Sequence, residues 1–362
     1  MLQKWLIQQL RAALLRLKEF AKSNRVMRAL FYDLENQEIF TDLRWHSKML
    51  ADSVRVDTYR IGIARHVRPG DVVIDLGTGT GLLAFFAAKS RAKKVYAIDH
   101  SNIIEVAKEI AKRNGFGNIQ FVKTNSRAFS PPEKADLIIH EQMNQALFGE
   151  NLVENLLDLK KRALKSGGAI LPGQFDLFIE PVVMKDEYFF PYIWEIDNLG
   201  LDLKFLRDSR VIEPFKSHRY RFQSVKGFFV DRFLCSPEAV MSIDINKIHS
   251  ADEIPKKLEI SRTVAQAGVL EGFCVYFRAH FDEQTSFDTS PMNRQTSWEN
   301  LVFRAERKHF GAGEQISYSV ELPILANTAS WRVTVRNNPE ALRTSYFEAN
   351  KRAPHLKSAF SP

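Results

Sequence analysis

The stretch VIDLGTGTGLL, residues 73–83, decides the fold. An apolar run that reads as a buried strand ends in a loop with glycine at positions 77, 79 and 81, and Leu82 then opens a helical stretch over 82–90. Gly77, Gly79 and Gly81 let the backbone turn tightly and approach a ligand closely. Outward from this loop, short apolar runs recur at 71–77, 94–99, 119–123, 135–141 and 168–172, with helical stretches at 82–90, 102–114 and roughly 150–165 between them. Strand–helix alternation at this spacing predicts a parallel sheet with helices on both faces. After Pro172 the character changes. Runs such as FDLFIEPVVM, VLEGFCVYFRAHF and WRVTVR are β-branched, aromatic and often alternating, so an antiparallel barrel or sandwich of about 170 residues is expected.

The loop also narrows the ligand. A dinucleotide fingerprint needs glycine at position 82, where Leu82 stands, and the lysine and hydroxyl of a P-loop are missing. Asp75 precedes the loop and Asp99 ends the next strand, where an acid can accept both ribose hydroxyls of a nucleoside. A glycine loop flanked by two acids, with no phosphate-binding group, favours S-adenosylmethionine, which carries ribose and adenine but no phosphate. The blander readings, a tight turn and a strand-end helix cap, remain beside it.

Composition bounds the rest. The 362 residues are 45% hydrophobic and 26% charged, ordinary for a soluble globular protein with room for two domains. No run approaches the roughly 18 apolar residues of a membrane span, and a secretory leader is not expected, since Lys4 and Arg11 break the first apolar stretch. Cys235 and Cys274 make neither a disulfide framework nor a metal cluster, so an intracellular, most simply cytoplasmic, setting is expected and no metal is assigned. Residues 1–30 hold seven basic groups against Glu19 alone, which is +6 of the net +8. The body is nearly neutral and gives no strong nucleic-acid signal. Leu6, Leu10, Leu14, Leu17 and Ala21 recur at helical spacing, with Lys4, Arg11, Lys18 and Arg25 forming a basic stripe. That segment reads as a surface helix packed on the body or a second subunit, as a helix contacting a membrane surface or an acidic partner, or as a transit peptide.

From about His46 to at least Phe303 the chain resembles the protein arginine methyltransferases, a family of class I S-adenosylmethionine-dependent enzymes. The pieces that carry the resemblance are HSKMLADSVRVDTYR (46–60), VIDLGTGTGLLAFFAAKSRAKKVYAID (73–99), HEQMNQALFGEN (140–151) and DTSPMNRQTSWENLVF (288–303). The resemblance implies a Rossmann-like domain over 46–172 and a β-barrel over 173–340. It also implies a helical dimerisation arm inserted at about 186–216, and hence a homodimer. Residues 1–45 precede this frame as the basic helix and a lid region, and 341–362 follow it as a basic, unpatterned tail. In the arm, Phe189, Phe190, Tyr192, Ile193 and Trp194 are expected to be exposed as a partner surface.

Glu141 and Glu150 are the candidate catalytic pair. Nine residues on a helix would point them to opposite faces, whereas a strand end followed by a returning loop can bring both to one point. The family's double-glutamate loop has this spacing. A guanidinium stays protonated and presents a planar fork of donors, which two carboxylates can grip. By resemblance Arg55 partners the cofactor carboxylate, His46 belongs to the cofactor side, and Met49, Asp52, Met143, Ser297 and Trp298 line the acceptor pocket.

Three features depart from the family. Its threonine-histidine-tryptophan loop reads Thr296-Ser297-Trp298, which leaves Asp52 without the histidine and predicts a roomier, more negative pocket. The aromatic lid has only Phe31, Tyr32 and Phe40 as candidates. The acid usual after the third strand has no match in KTNSRAF (123–129). The leading expectation is methylation of arginine in proteins. Its rivals are methylation of a small guanidino compound or other nitrogen nucleophile, an inactive S-adenosylmethionine-binding scaffold, and a nicotinamide oxidoreductase, which Leu82 disfavours.

Overall fold

A computed structural model describes residues 42–197, 200–216 and 220–336. The expected basic helix, the lid candidates Phe31, Tyr32 and Phe40, and the tail lie outside those residues.

Two helices lead in: α1 (Leu43–Leu50), capped by the Asp42 side chain, and α2 (Ser53–His66), capped by Asp52. The first layered unit follows as β1 (Val72–Leu76), α3 (Leu82–Lys89), β2 (Lys94–Asp99), α4 (Ile104–Arg113), β3 (Ile119–Lys123), β4 (Ala135–His140), α5 (Leu152–Ala163) and β5 (Leu164–Leu171). The five strands are all parallel in the order β3-β2-β1-β4-β5. β1 is buried along its whole length, as a central parallel strand covered on both faces must be.

The strand order reverses beside β1, so a crevice opens at the carboxyl ends of β1 and β4. Register makes this concrete. Leu76 pairs with Ile98 on one side and His140 on the other. The next residues are Gly77, Asp99, which ends β2, and Glu141, so all three stand at one edge of the sheet on adjacent strands. Sequence-distant motifs meet because parallel pairing puts all their strand ends on one edge.

After Pro172 the chain becomes antiparallel: β6 (Gln174–Met184), β7 (Phe222–Val225), β8 (Val230–Phe233), β9 (Met241–Asp244), β10 (Lys257–Thr263), β11 (Gly268–His280), β12 (Ser286–Asp288), β13 (Asn300–Phe310), β14 (Gln315–Glu321) and β15 (Arg332–Val335). One sheet has the path β7-β13-β11-β6-β8, with β12 on β11 and β9 on β6, and a second has β10-β14-β15. These are the two sheets of the barrel-type domain, and their apolar faces join the core of the parallel unit. The junction is pinned by polar contacts. Lys160 on α5 donates to the carbonyls of Ile245, Asn246 and Ile248, and the Asn246 side chain both accepts from and donates to the Ile170 backbone.

The excursion at 186–216 differs from expectation. Its described residues hold four short 3-10 turns, Asp186–Tyr188, Ile193–Glu195, Lys204–Asp208 and Arg210–Phe215, and no α-helix. Nor are all five expected residues presented outward. Phe190 and Ile193 are exposed, but Tyr192 and Trp194 stack on each other and Arg304 lies 3.8 Å over the Tyr192 ring. The outward apolar groups are completed instead by Leu201, Phe205 and Val211.

Candidate active site

The glycine loop is shaped by its neighbours. Gly81 sits at φ +90°, and a Cβ there would lie 2.7 Å from Phe85 and 3.2 Å from Ala107, so only glycine fits between α3 and α4. His46, buried on α1, lies against Gly79, placing the first helix over the loop. Above Gly77 there is open space.

The two acids flanking the loop part company. Asp75 is fully buried behind it. One oxygen accepts from Thr78 Oγ1 (2.6 Å) and from the Ala84 amide at the start of α3 (3.0 Å). It braces the loop and caps a helix, while its other oxygen, Oδ1, is buried without a partner among the described residues, and burial pushes its pKa up to about 7. Asp99 stands at the crevice edge, accepting from the Gly79 amide (2.9 Å) and from the Ser101 amide (2.8 Å) and hydroxyl (2.7 Å). A carboxylate has about four acceptor sites, so Asp99 keeps capacity for a further donor.

Glu141 follows β4 at the edge of the sheet, with its side chain largely buried. Its Oε2 lies 2.7 Å from Arg55 Nη2, with 10% and 13% of the Arg55 and Glu141 side chains exposed. Burial raises the Glu141 pKa; the Arg55 charge opposes this and the Asp52 charge adds to it. The other Arg55 terminal nitrogen, Nη1, is buried with no partner among the described residues. Its guanidinium carbon lies 5.7 Å over the Trp298 ring.

Asp52 ties this corner together. One oxygen accepts the Arg55 amide (3.0 Å), and the other accepts the Ser297 amide (2.5 Å). Asp52 is thus not left without a partner by the loss of the family histidine: the Ser297 backbone amide supplies one. Trp298 donates from Nε1 to the Met143 carbonyl (3.0 Å) and stacks on Phe287, so the 288–300 segment grips the loop after β4. Met143 is buried beneath it, and Met49, half-buried, ends α1 nearby in sequence to Asp52.

The loop from 141 to 151 returns through strained backbone. Leu147, Glu150 and Asn151 have φ of 72°, 60° and 53°, a left-handed region that costs non-glycine residues about 1–3 kcal/mol each. Burial of Leu147 and Phe148 anchors the turn. Gly149 allows the close approach, since a Cβ would meet the Asn144 side chain at 2.5 Å, and Asn155 donates to the Glu150 carbonyl (2.9 Å). Glu150 is half-buried at this return. The structure thus brings Arg55, Asp52, Glu141, Met143, Ser297 and Trp298 into one network, sets His46 and Asp99 against the glycine loop, and takes Asp75 behind it. Sequence reasoning missed Tyr59 and His140, whose roles run through backbone carbonyls.

The residues present suit a nucleoside carrying a carboxylate. The partnerless Arg55 Nη1, the spare capacity of Asp99 and the space over Gly77 match the carboxylate, the ribose and the close approach of S-adenosylmethionine, with no phosphate cradle. Fold and site together define a class I S-adenosylmethionine-dependent methyltransferase carrying an antiparallel second domain. A methyltransferase domain family matches residues 68–191, and the arginine methyltransferase oligomerization subdomain matches residues 176–334. The chain is 30% identical over 274 residues to protein arginine N-methyltransferase 6 of Danio rerio, spanning 73% of this chain and 76% of that one. It is 31% identical over 270 residues to protein arginine N-methyltransferase 1 of Chlamydomonas reinhardtii, spanning 72% and 75%. The Trypanosoma brucei PRMT1 enzyme–prozyme heterotetrameric complex with AdoHcy shares the fold at TM-score 0.68 and 24% identity, over 83% of this chain and 95% of that one. The chain belongs to the protein arginine N-methyltransferases, and its methyl donor is S-adenosylmethionine.

Proposed function

We propose that Glu141 and Glu150 hold the acceptor guanidinium while Arg55, Asp99 and the glycine loop hold the donor on the adjoining strands. The observation that carries this reading is the buried Arg55–Glu141 pair at the edge shared by β1 and β4. Bound S-adenosylmethionine supplies an electrophilic methyl group. The protein's part is to make one guanidinium nitrogen a nucleophile and aim it. Two carboxylates draw the delocalised cation toward themselves through charge-assisted bonds and fix the fork. Positioning of this kind can supply roughly 7–11 kcal/mol of a barrier. Arg55 offers Nη1 to the donor's carboxylate and keeps Nη2 on Glu141, so one cation orders both halves of the site. A methylated nitrogen must release a proton, and Glu141, whose pKa burial raises, can accept it at the crevice.

The acceptor class we favour is arginine in proteins. Incubation with labelled S-adenosylmethionine and an Arg-Gly-rich protein, free arginine or a lysine-only control should label the first and not the last. Glu141→Gln should abolish most turnover while leaving S-adenosylhomocysteine binding intact. Labelling of the lysine control, or normal turnover in Glu141→Gln, would overturn the assignment. We further propose a homodimer, for which the oligomerization-subdomain match and the outward Phe190, Leu201, Phe205 and Val211 speak; a monomer in light scattering at micromolar concentration would refute it. A cytoplasmic location fits two buried, unpaired thiols, and contact of residues 1–30 with a membrane surface or acidic partner fits their charge.

A further inference from the structure

Helix α2 touches the end of β4 twice from one face. Arg55 pairs with the Glu141 side chain, and one turn later the Tyr59 hydroxyl donates to the backbone carbonyl of His140 (2.8 Å). Residues four apart on a helix stack along the same side. Consecutive residues of the strand end are therefore held by consecutive turns of the helix. Tyr59 is fully buried, its ring edge-on to Phe281 with centroids 4.9 Å apart and 6.1 Å from Phe287. Phe287 in turn stacks on Trp298, which holds Met143. From the other side the His140 imidazole bonds through Nε2 to the Pro172 carbonyl (2.9 Å). The peptide preceding Glu141 is thus fixed by its carbonyl and by its side chain.

We infer that Tyr59 is a positioning residue for methyl transfer: its hydroxyl sets the strand-end peptide so that Glu141 meets Arg55 and still faces the acceptor. The inference rests on Glu141 gripping the guanidinium. A core tyrosine with a satisfied hydroxyl would need only some carbonyl within reach. Here the carbonyl is the one joined to the glutamate, and the helix is the one carrying its counter-ion. The charged and titratable groups around this point are Arg55 and Asp52 at the start of α2, Asp75 on β1, and His140 and Glu141 on β4 and its end. Burial drives the His140 pKa down to about 4, so the imidazole is neutral at working pH and adds no competing charge.

Tyr59→Phe in the full-length chain is the test, because the ring and its packing survive. Turnover on an Arg-Gly-rich peptide should fall about tenfold, the worth of one well-placed hydrogen bond. S-adenosylhomocysteine affinity by calorimetry should stay within about threefold, the melting temperature within a few degrees. The acid limb of the turnover profile should move upward as Glu141 loosens from Arg55. In a Glu141→Gln background the same substitution should change residual turnover less than about twofold, because partners acting as a unit are not additive. Equal losses in both backgrounds, or an unmoved acid limb with native turnover, would overturn the inference; where the double variant is too slow to measure, the acid limb decides. Native turnover in Glu141→Gln itself would instead remove the grip on which the inference rests.

Discussion

Replacing Arg55 by methionine should uncouple donor binding from acceptor activation, and the size of the effect can be worked from the pair itself. Nη2 and Oε2 are 2.7 Å apart with about a tenth of each side chain exposed. Unit charges about 4 Å apart attract by ~4 kcal/mol at an effective dielectric near 20, and removing one partner of a buried pair costs about 3–5 kcal/mol. Methionine keeps much of the apolar bulk against Trp298 but leaves Glu141 buried beside Asp52 with nothing to balance it. Burial and Asp52 already raise its pKa, and Arg55 is what opposes them. The carboxyl responds by holding its proton to higher pH, so the acid limb of turnover moves toward neutral. On the donor side, a lost charge-assisted bond of ~1.5–3 kcal/mol weakens S-adenosylhomocysteine binding by roughly 10- to 150-fold. Arg55→Lys should recover part of either function but not both, since one ammonium lacks the fork that reaches two carboxylates. Calorimetry and turnover against pH read the two effects separately. Affinity within threefold of native, with an unmoved acid limb in Arg55→Met, would refute the shared-cation account.

Asp75 has its pKa raised from 3.8 to about 7 by burial, so the folded chain holds a proton that the unfolded chain releases. Stability from this group is complete below about pH 4 and is lost as pH rises to 7, by ~4 kcal/mol; Asp75→Asn should flatten that part of the unfolding profile, and an unchanged slope would count against it. Glu150→Gly should raise stability by about 1 kcal/mol through relief of the left-handed backbone while abolishing most turnover, whereas Glu150→Gln loses turnover with no gain in melting temperature; loss of stability in the glycine variant would contradict the strain. Ser297→His keeps the backbone amide on Asp52 and adds an imidazole beside it, so the product ratio or preferred acceptor should change while S-adenosylhomocysteine affinity does not, as product mass spectrometry and calorimetry would reveal.

What the sequence disclosed was what periodicity encodes. The parallel strands are short apolar runs, most of them separated by helical stretches, and each overlaps its reading. Glu141 stood out because an acid directly after a buried strand is costly without a purpose. Asp75, another acid on a buried strand, also serves the fold. Its partner is the helix start at Ala84, nine residues on, and no local pattern separates a carboxylate capping a helix from one facing a ligand. The 186–216 excursion failed for a different reason. Turns of 3-10 type close over three residues and leave no repeat to read, so aromatic content alone suggested exposure where Tyr192 in fact packs under Arg304 and Trp194 stacks on Tyr192.

Tyr59 and Asp52 mark the deeper boundary. Each acts through backbone groups, on the His140 carbonyl and the Ser297 amide, and a backbone group is the same at every residue. Only register chooses which one is within reach. Leu76 opposite His140 fixes where β4 ends relative to the glycine loop, and the cap at Asp52 fixes the phase of α2, hence which side chains face that end. A shift of one residue in either would carry Arg55 away from Glu141 while leaving every motif in the sequence intact. The strained return at Leu147, Glu150 and Asn151 follows from the same constraint. With the strand end held by Arg55, Tyr59 and His140, and α5 held by its own packing, the loop between them has a set span to close. It closes through left-handed residues because its anchors, and not its local preferences, decide its path.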